Sequence, residues 1–145
     1  MPTDIIHDEI ESWLNKRSGL LGVSGLSGDM RELIAARDDN PRARLAVDIF
    51  CYRVRKYLGA YITALEGAAQ AVIFSGGIGE NAPLIRQEIL RGMEWCGIHL
   101  DRTGNDRILG SDGRISSASS KLDVFVIHTD EEAIIARDTA RIVGN

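Results

Sequence analysis

The chain has 145 residues, 44% of them hydrophobic and 26% charged, a length that suits one globular domain with a buried core. Its 17 basic and 21 acidic residues give a formal net charge of −4, which provides no global electrostatic reason to expect nucleic acid or an anionic membrane as a partner. No basic-plus-apolar leader and no run of 18 apolar residues is found, so we expect a cytoplasmic protein with no membrane partner.

The first forty residues predict two short helices around an irregular connection. Apolar residues at helical spacing predict an amphipathic helix over 3–14, with Thr3 as its N-cap. The segment "SGLLGVSGLSGD" that follows is expected to have no regular structure. A second helix should begin near Ser27 or Gly28 and end by Asp38–Asp39.

A long helix should begin at Asn40-Pro41, because Asn is a favoured N-cap and Pro suits the first helical turn. Its apolar residues keep helical spacing up to Gly67, which fits a C-terminal stop. We expect it to carry the core with the residues Leu45, Ile49, Phe50, Val54, Tyr57, Leu58, Tyr61, Ile62 and Leu65.

Two strand-to-helix units follow. The apolar run Ala71–Phe74 predicts a strand buried on both faces, which the glycine-rich stretch "SGGIGEN" ends as a loop. Asn81 should cap the next helix, which has Pro83 in its first turn and continues to Gly97. Residues 97–101 are expected to form a short strand, and 102–120 a loop or weak hairpin.

The last segment predicts a second buried strand over 122–127 and a final helix over 130–143. Thr129 and Glu132 have the spacing of a capping box at the start of that helix. Together the two units indicate an α/β fold, with the two strands as parallel neighbours.

The glycine-rich stretch allows two interpretations. Glycines between a strand and a helix can serve a tight turn alone, or they can let a ligand lie against the bare backbone. The stretch matches neither the P-loop nor the dinucleotide-binding pattern, so its spacing leaves both interpretations open.

Other chemistry-bearing residues are ambiguous when taken alone. The carboxylates Asp130-Glu131-Glu132 suit a helix start, and Glu131 could also serve a Mg²⁺ shell beside a phosphate. Asp29 and Arg31 are ordinary in a first helical turn, although they could also hold a ribose hydroxyl and stack on a purine. Cys51 and Cys96 lack metal-site spacing and are expected to be inert, buried thiols.

Four motifs, taken in order, resemble the C-terminal part of the acetate kinase (acetokinase) family. They are "RSGLLGVSGLSGDMREL", "FCYRVRKYLGAYITAL", "AVIFSGGIGENAPLIR" and "VIHTDEEAIIARDTARIV". The resemblance covers the chain from about Ile10 onward. It implies the fold of an actin-like, RNase-H-like ATPase domain, here with an incomplete sheet flanked by helices.

The resemblance also implies a function. It makes residues 1–145 a single domain, the nucleotide-binding portion of a two-domain enzyme that transfers phosphate between ATP and acetate with Mg²⁺. The expected partners are ATP or ADP, acetate or acetyl phosphate, and a second copy in a homodimer. The residues that match the family's nucleotide-binding positions are Asp29, Met30, Arg31, Gly76, Gly77, Ile78 and Asn81. Glu131 matches the glutamate associated with the metal.

This sequence departs from the family pattern in two places: Ser75 replaces the usual Thr, and His128 replaces the usual Pro. The family's Asn-x-Gly-Ser-Ser-Ser phosphate loop and its acceptor-side segments have no counterpart among these 145 residues. We therefore expect no catalytic residue here and no activity from the chain alone. Propionate or butyrate as the acceptor, and a non-catalytic dimerisation module, remain alternatives.

Overall fold

The structure is a computed structural model that describes residues 7–144, apart from the side chains at positions 7, 8, 131 and 134. Residue contacts divide the chain into two compact units, Met1–Ala64 and Leu65–Asn145. The expectation of a single domain stays a prediction.

The first unit is helical. Its described elements are α1 (His7–Lys16), α2 (Gly19–Ser24), α3 (Met30–Ala36) and α4 (Pro41–Ala64). The expected start of α1, with Thr3 as its cap, lies outside the described residues.

The expectation of an irregular segment after α1 is wrong, because α2 forms there. This helix has six residues, and its C-cap is Gly25, which adopts the left-handed conformation with φ 63°. It packs against α4. Tertiary packing therefore stabilises a helix that is too short and too glycine-rich to be indicated by the local sequence.

The predicted start of α4 is confirmed. Asn40 Oδ1 accepts hydrogen bonds from the backbone N–H groups of Arg42 (2.9 Å) and Ala43 (3.1 Å), and Pro41 is the first helical residue.

The predicted core face of α4 is only partly correct. The fully buried residues are small and lie in the first half of the helix: Ala43, Ala46, Val47 and Cys51. Leu45 and Ile49, expected to point inward, lie on the opposite side and are exposed. Tyr57 and Tyr61 continue the buried side in sequence but are 51% and 65% exposed. The apolar spacing predicted the helix correctly, but it could not show how far along the helix α2 and α3 provide cover.

The second unit is built around a small sheet. Its elements are β1 (Ala71–Phe74), α5 (Gly76–Asn81), α6 (Pro83–Leu90), a 3-10 turn (Glu94–Cys96), α7 (Arg102–Arg107), β2 (Gly113–Arg114), β3 (Asp123–Val126) and α8 (Glu131–Val143).

The strand order is β1-β3-β2. Strands β1 and β3 are parallel neighbours, as predicted, and their register places Ala71 opposite Asp123 and Phe74 opposite Val126. Strand β2 pairs with β3 in antiparallel orientation. Strand β1 lies at the edge of this sheet, and of its residues only Val72 is buried, whereas Ile73, on the opposite face, is 57% exposed. The expectation that β1 is buried on both faces is therefore wrong for the described residues.

Three further expectations in this unit are corrected. The glycine-rich stretch is not a loop but the short helix α5, and Asn81 is its last residue, whereas Ala82 occupies the N-cap of α6. Residues 97–101 contribute only an isolated bridge between Leu100 and Ser116. Part of the expected 102–120 loop is helix α7, which forms because Asp101 accepts a hydrogen bond from the Gly104 N–H (3.1 Å).

The final helix forms as predicted, but with a different cap. Asp130 occupies the N-cap position of α8, and its Oδ1 accepts the Ala133 N–H at 2.8 Å. Thr129, expected to be the cap, uses its hydroxyl elsewhere. Of the helices in residues 7–144, none combines the length and apolar character needed to cross a bilayer.

Candidate functional site

The two turns that follow the parallel strands lie side by side in the second unit. The turn after β1 leads into α5 and the turn after β3 leads into α8. An open cavity of about 330 Å³ lies between them, lined by Gly76, Gly77, Glu80, His128, Thr129, Asp130 and Glu132. This is the edge of a parallel sheet at which ligands characteristically bind.

Glu80 connects these two turns. Its side chain is buried, and its Oε1 accepts the backbone N–H groups of Gly76 (2.8 Å) and Thr129 (3.0 Å). The Thr129 hydroxyl donates to the same oxygen at 3.1 Å. Oε2 lies 2.7 Å from Nδ1 of His128. A carboxylate removed from water is tolerated here because every contact is a donor.

These contacts shift two pKa values in opposite directions. The bond from His128, followed by the backbone amide of Thr129, lowers the pKa of the Glu80 carboxyl from 4.5 to about 2, although burial acts against this. The same bond raises the pKa of His128 above 6.5, with smaller contributions from Asp130 and Asp112. The pair therefore favours an ionised carboxylate and a protonated imidazole.

His128 is also fixed through its backbone. Its N–H donates to Asp112 Oδ1 at 2.6 Å, a bond that the family's usual Pro could not make. The imidazole itself remains 58% exposed. A group that is anchored at one nitrogen and open to water on the cavity side can contact a ligand.

The cavity is otherwise acidic, because Asp130 and Glu132 line it together with Glu80. Carboxylate oxygens are ligands that Mg²⁺ accepts, commonly with water and substrate phosphates completing the shell. Among the described residues, no group of three or more His, Cys, Asp or Glu side chains could hold a metal by itself. The chemistry of this lining fits a Mg²⁺ that a ligand brings with it.

Arg86 stabilises the backbone of α5, the helix that carries part of the cavity lining. Its side chain is fully buried and donates to five oxygens, none of which belongs to a carboxylate. Two of these are the carbonyl oxygens of Gly79 (2.8 Å) and Glu80 (3.0 Å), at the end of α5. The others belong to Asn105 and Ile108. One guanidinium thus fixes α5 to α7 and holds the backbone that carries Glu80.

The structure places the residues predicted from the glycine-rich stretch on α5. Gly76, with φ 70°, and Gly77 line the cavity, while Ile78 and Asn81 lie on the exposed surface of the same helix. Asn81 Nδ2 donates to the Gly77 carbonyl at 3.1 Å, which leaves its Oδ1 as an acceptor. Glu131 begins α8, and its side chain lies outside the described residues.

The remaining predicted residues lie in the first unit, at the start of α3. Asp29 is the N-cap, and its Oδ1 accepts the Arg31 N–H at 2.8 Å. Its Oδ2 pairs with Arg31 Nη2 at 2.5 Å, and these bonds lower the pKa of Asp29 to about 2. The Arg31 side chain is 90% exposed, whereas Met30 is buried in the core. The helix cap and the ion pair account for Asp29 without a ligand.

Sequence reasoning missed Glu80 and Arg86. Arg86 did leave a signal, because it shares a helical face with the buried Ile89 and Leu90, where a charge needs a buried partner. Glu80 left none, since only its Gly76 donor is local and its other donors, His128 and Thr129, lie 48 and 49 residues away along the chain. Of the two cysteines, Cys51 is buried as expected and Cys96 is half-buried.

The chain is similar to known acetate kinases. The model of the acetokinase family matches residues 2–137. The acetate kinase of Chloroherpeton thalassium is 54% identical over 139 residues, and that of Solibacter usitatus is 50% identical over 137 residues. These matches cover 94% and 93% of this chain but 33% of each relative. The chain thus spans about a third of the length of these relatives.

Solved structures agree. The crystal structure of Porphyromonas gingivalis acetate kinase superposes with a TM-score of 0.84 at 41% identity, over 96% of this chain and 35% of that one. A propionate kinase from Francisella tularensis gives a TM-score of 0.79 at 38% identity, over 92% and 33%. The predicted fold, part of an actin-like ATPase domain with an incomplete sheet flanked by helices, is confirmed. The chain belongs to the acetokinase family.

Proposed function

We propose that this chain is the nucleotide-binding part of an acetate kinase, an enzyme that transfers phosphate reversibly between ATP and acetate to give acetyl phosphate. The observation that carries the proposal is the cavity between the turns after β1 and β3, because the "GGIGEN" and "HTDEE" motifs meet there. Both motifs belong to the family resemblance. The relatives are acetate kinases, and this cavity lies at the carboxyl ends of two parallel strands, where ligands characteristically bind.

Each predicted residue has a role in this proposal. Gly77 offers bare backbone to an adenosine, Ile78 an apolar contact, and the Asn81 Oδ1 an acceptor for a hydroxyl or amino group. Gly76 shapes the turn. These four residues share one short helix, so a single ligand can contact several of them.

Asp29, Met30 and Arg31, at the start of α3 in the first unit, are proposed as further nucleotide-binding residues, as the family resemblance implies. The exposed Arg31 guanidinium is held in one orientation by its hydrogen bonds to Asp29, and its planar group is suited to stack on a purine. Because Met30 is buried, its contribution is through its backbone or through support of its neighbours.

The proposed cofactor is Mg²⁺ delivered with ATP or ADP, with Glu131 as the associated carboxylate. When bound, the ion would neutralise phosphate charge during transfer. The acidic lining at Asp130 and Glu132 supports this, since a nucleotide phosphate would be repelled there without a cation. This protein's own residues bind and orient the nucleotide, and the acceptor side, with acetate, propionate or butyrate, belongs to segments absent from these 145 residues.

The second proposal is that the protein forms a homodimer. A cytoplasmic location, which is expected from the sequence, is proposed as well. The side chains of Tyr52, Tyr57 and Tyr61 on α4 are 61%, 51% and 65% exposed. Exposed tyrosines on one helix are typical of protein interfaces. A dimer that does not respond to nucleotide would favour the alternative of a non-catalytic dimerisation module, and sedimentation with and without Mg-ATP separates the two.

The test of nucleotide binding is titration calorimetry with Mg-ATP up to millimolar concentrations. We expect weak binding, and we expect Asn81→Ala to weaken it by about tenfold because one ligand hydrogen bond is lost. Ser75→Thr is the matched control, since it installs the residue usual in the family and should change affinity little. No heat from the unmodified chain, or equal affinity of Asn81→Ala and Ser75→Thr, would contradict the proposal.

A further inference from the structure

Where β1 and β3 end, backbone-to-backbone hydrogen bonds between the two segments give way to hydrogen bonds with one side chain. Up to this point β1 and β3 are joined by their backbones, and the last such bond runs from the Ile127 N–H to the Phe74 carbonyl at 2.9 Å. Beyond it, the chains turn into separate helices, α5 and α8. Glu80 takes over there, because its carboxylate accepts from Gly76 on one turn and from Thr129 on the other.

Both carboxylate oxygens of Glu80 are occupied by hydrogen bonds from groups of the protein itself. Oε1 accepts three donors within 3.1 Å, and Oε2 pairs with His128. The residue is 4% exposed, so a ligand would have to displace these donors to reach it. A carboxylate in this state acts through the backbone that it holds.

We propose that Glu80 is a positioning residue of the nucleotide site: it holds the Gly76 turn against the Thr129 turn and thereby sets the shape of the cavity. The inference rests on the proposed function, because it concerns the affinity of the same cavity for a Mg-nucleotide. It makes Glu80 necessary for nucleotide affinity without contact between Glu80 and the nucleotide.

The role predicts a graded response to substitution. Glu80→Ala removes every acceptor, whereas Glu80→Gln keeps one oxygen for the Gly76 and Thr129 amides. Amide hydrogen exchange by NMR reports whether the two turns remain joined, and calorimetry with Mg-ADP reports affinity. Glu94→Gln is the matched control, because Glu94 is exposed in the same unit and lies outside the cavity.

In Glu80→Ala we expect the exchange of both amides to accelerate by about tenfold or more, and Mg-ADP affinity to fall by about tenfold. Glu80→Gln should restore slow exchange and most of the affinity, and Glu94→Gln should match the unmodified chain. Thr129→Val serves if Glu80→Ala does not fold. It removes one donor to Glu80, and we expect a loss of about threefold in affinity.

Two failures can be told apart. If the unmodified chain binds Mg-ADP and Glu80→Ala or Thr129→Val binds equally well, the positioning role is wrong and the proposed function stands. If the unmodified chain binds no Mg-ADP, the proposed function fails, and faster exchange in Glu80→Ala would then mark Glu80 as structural only.

Discussion

Arg86 and Glu80 are buried charged residues near the cavity, and their two side chains form no ion pair with each other. Arg86 satisfies backbone and amide oxygens, while Glu80 satisfies N–H and O–H donors and a histidine. Burial lowers the pKa of Arg86, yet a guanidinium stays protonated in proteins. Each residue therefore stabilises the fold through the number and geometry of its hydrogen bonds.

Replacement of Arg86 by Lys tests whether the number and geometry of the Arg86 hydrogen bonds stabilise the fold. An ammonium has three donors and cannot reach five acceptors spread over α5 and α7, so buried carbonyl oxygens lose their partners. We expect Arg86→Lys to lower the free energy of unfolding by about 2–4 kcal/mol, measured by urea denaturation. Arg91→Lys is the control, because Arg91 is 69% exposed, and it should cost less than about 0.5 kcal/mol. Equal effects of the two changes would refute the role of Arg86.

The His128–Glu80 pair predicts a pH dependence of stability. The raised pKa of His128 means that its contribution is complete below its ordinary pKa of 6.5 and is lost as pH rises through the folded value. The lowered pKa of Glu80 means that its contribution is present above 4.5 and is lost as pH falls toward about 2. Both contributions are therefore present together between pH 4.5 and 6.5.

We expect His128→Gln to lower the melting temperature more at about pH 5.5 than at about pH 8.5. Thermal melts followed by circular dichroism measure this. The control is the same substitution in a Glu80→Gln background, in which the difference between the two pH values should disappear. A larger effect of His128→Gln at the higher pH would show that the pair does not stabilise the protonated imidazole.

At the scale of elements, α5 shows how a glycine-rich stretch can be helical in the folded chain. Its first residue, Gly76, has φ 70°, so the chain turns sharply out of β1 at the start of this six-residue helix. Glycines of this kind suggest a loop when only the sequence is considered. In the folded chain Arg86 donates to the carbonyl oxygens at the end of this helix, and Glu80 accepts the amide at its start, so both side chains stabilise it.

The two adjacent glycines of α5 should respond oppositely to alanine. At Gly76 an added Cβ would meet nothing within 4 Å, so the cost is the left-handed backbone alone, about 1–2 kcal/mol. Gly77 also has free space and lacks the positive φ, so Gly77→Ala should leave stability unchanged or raise it by up to about 1 kcal/mol. Urea denaturation of both variants measures the difference. Equal destabilisation by the two changes would contradict the backbone explanation.

Long elements with clear caps were predictable and short ones were not. Asn40-Pro41 identified the start of α4, and the apolar runs identified β1 and β3 and their parallel pairing. Helices α2, α5 and α7 escaped prediction, since six residues cannot form a stable helix without tertiary contacts. At α8 the choice of Asp130 over Thr129 as cap follows from the bonds between Thr129 and Glu80, which no local pattern contains.

At the scale of the whole molecule, the residue patterns predicted where a candidate site should lie but did not identify all the residues that shape it. They placed a ligand at the carboxyl ends of two parallel strands, and the cavity lies there. They left the choice between a turn and a ligand loop open, and only the order of four motifs indicated a nucleotide. Glu80 and Arg86, which fix the cavity, make several of their contacts with residues that are distant along the chain, and local spacing does not show those partners.

The chain as a whole should bind nucleotide without catalysing transfer. Phosphoryl transfer needs two substrates held in line and charge neutralised on the moving group. This sequence provides the proposed adenosine end of the site, and it has no counterpart of the family's phosphate loop or acceptor-side segments. A purified sample of the 145 residues should therefore form no acetyl phosphate from Mg-ATP and acetate in a coupled assay. The Porphyromonas gingivalis acetate kinase, assayed in parallel, is the positive control, and product formation by the 145-residue chain alone would overturn the prediction.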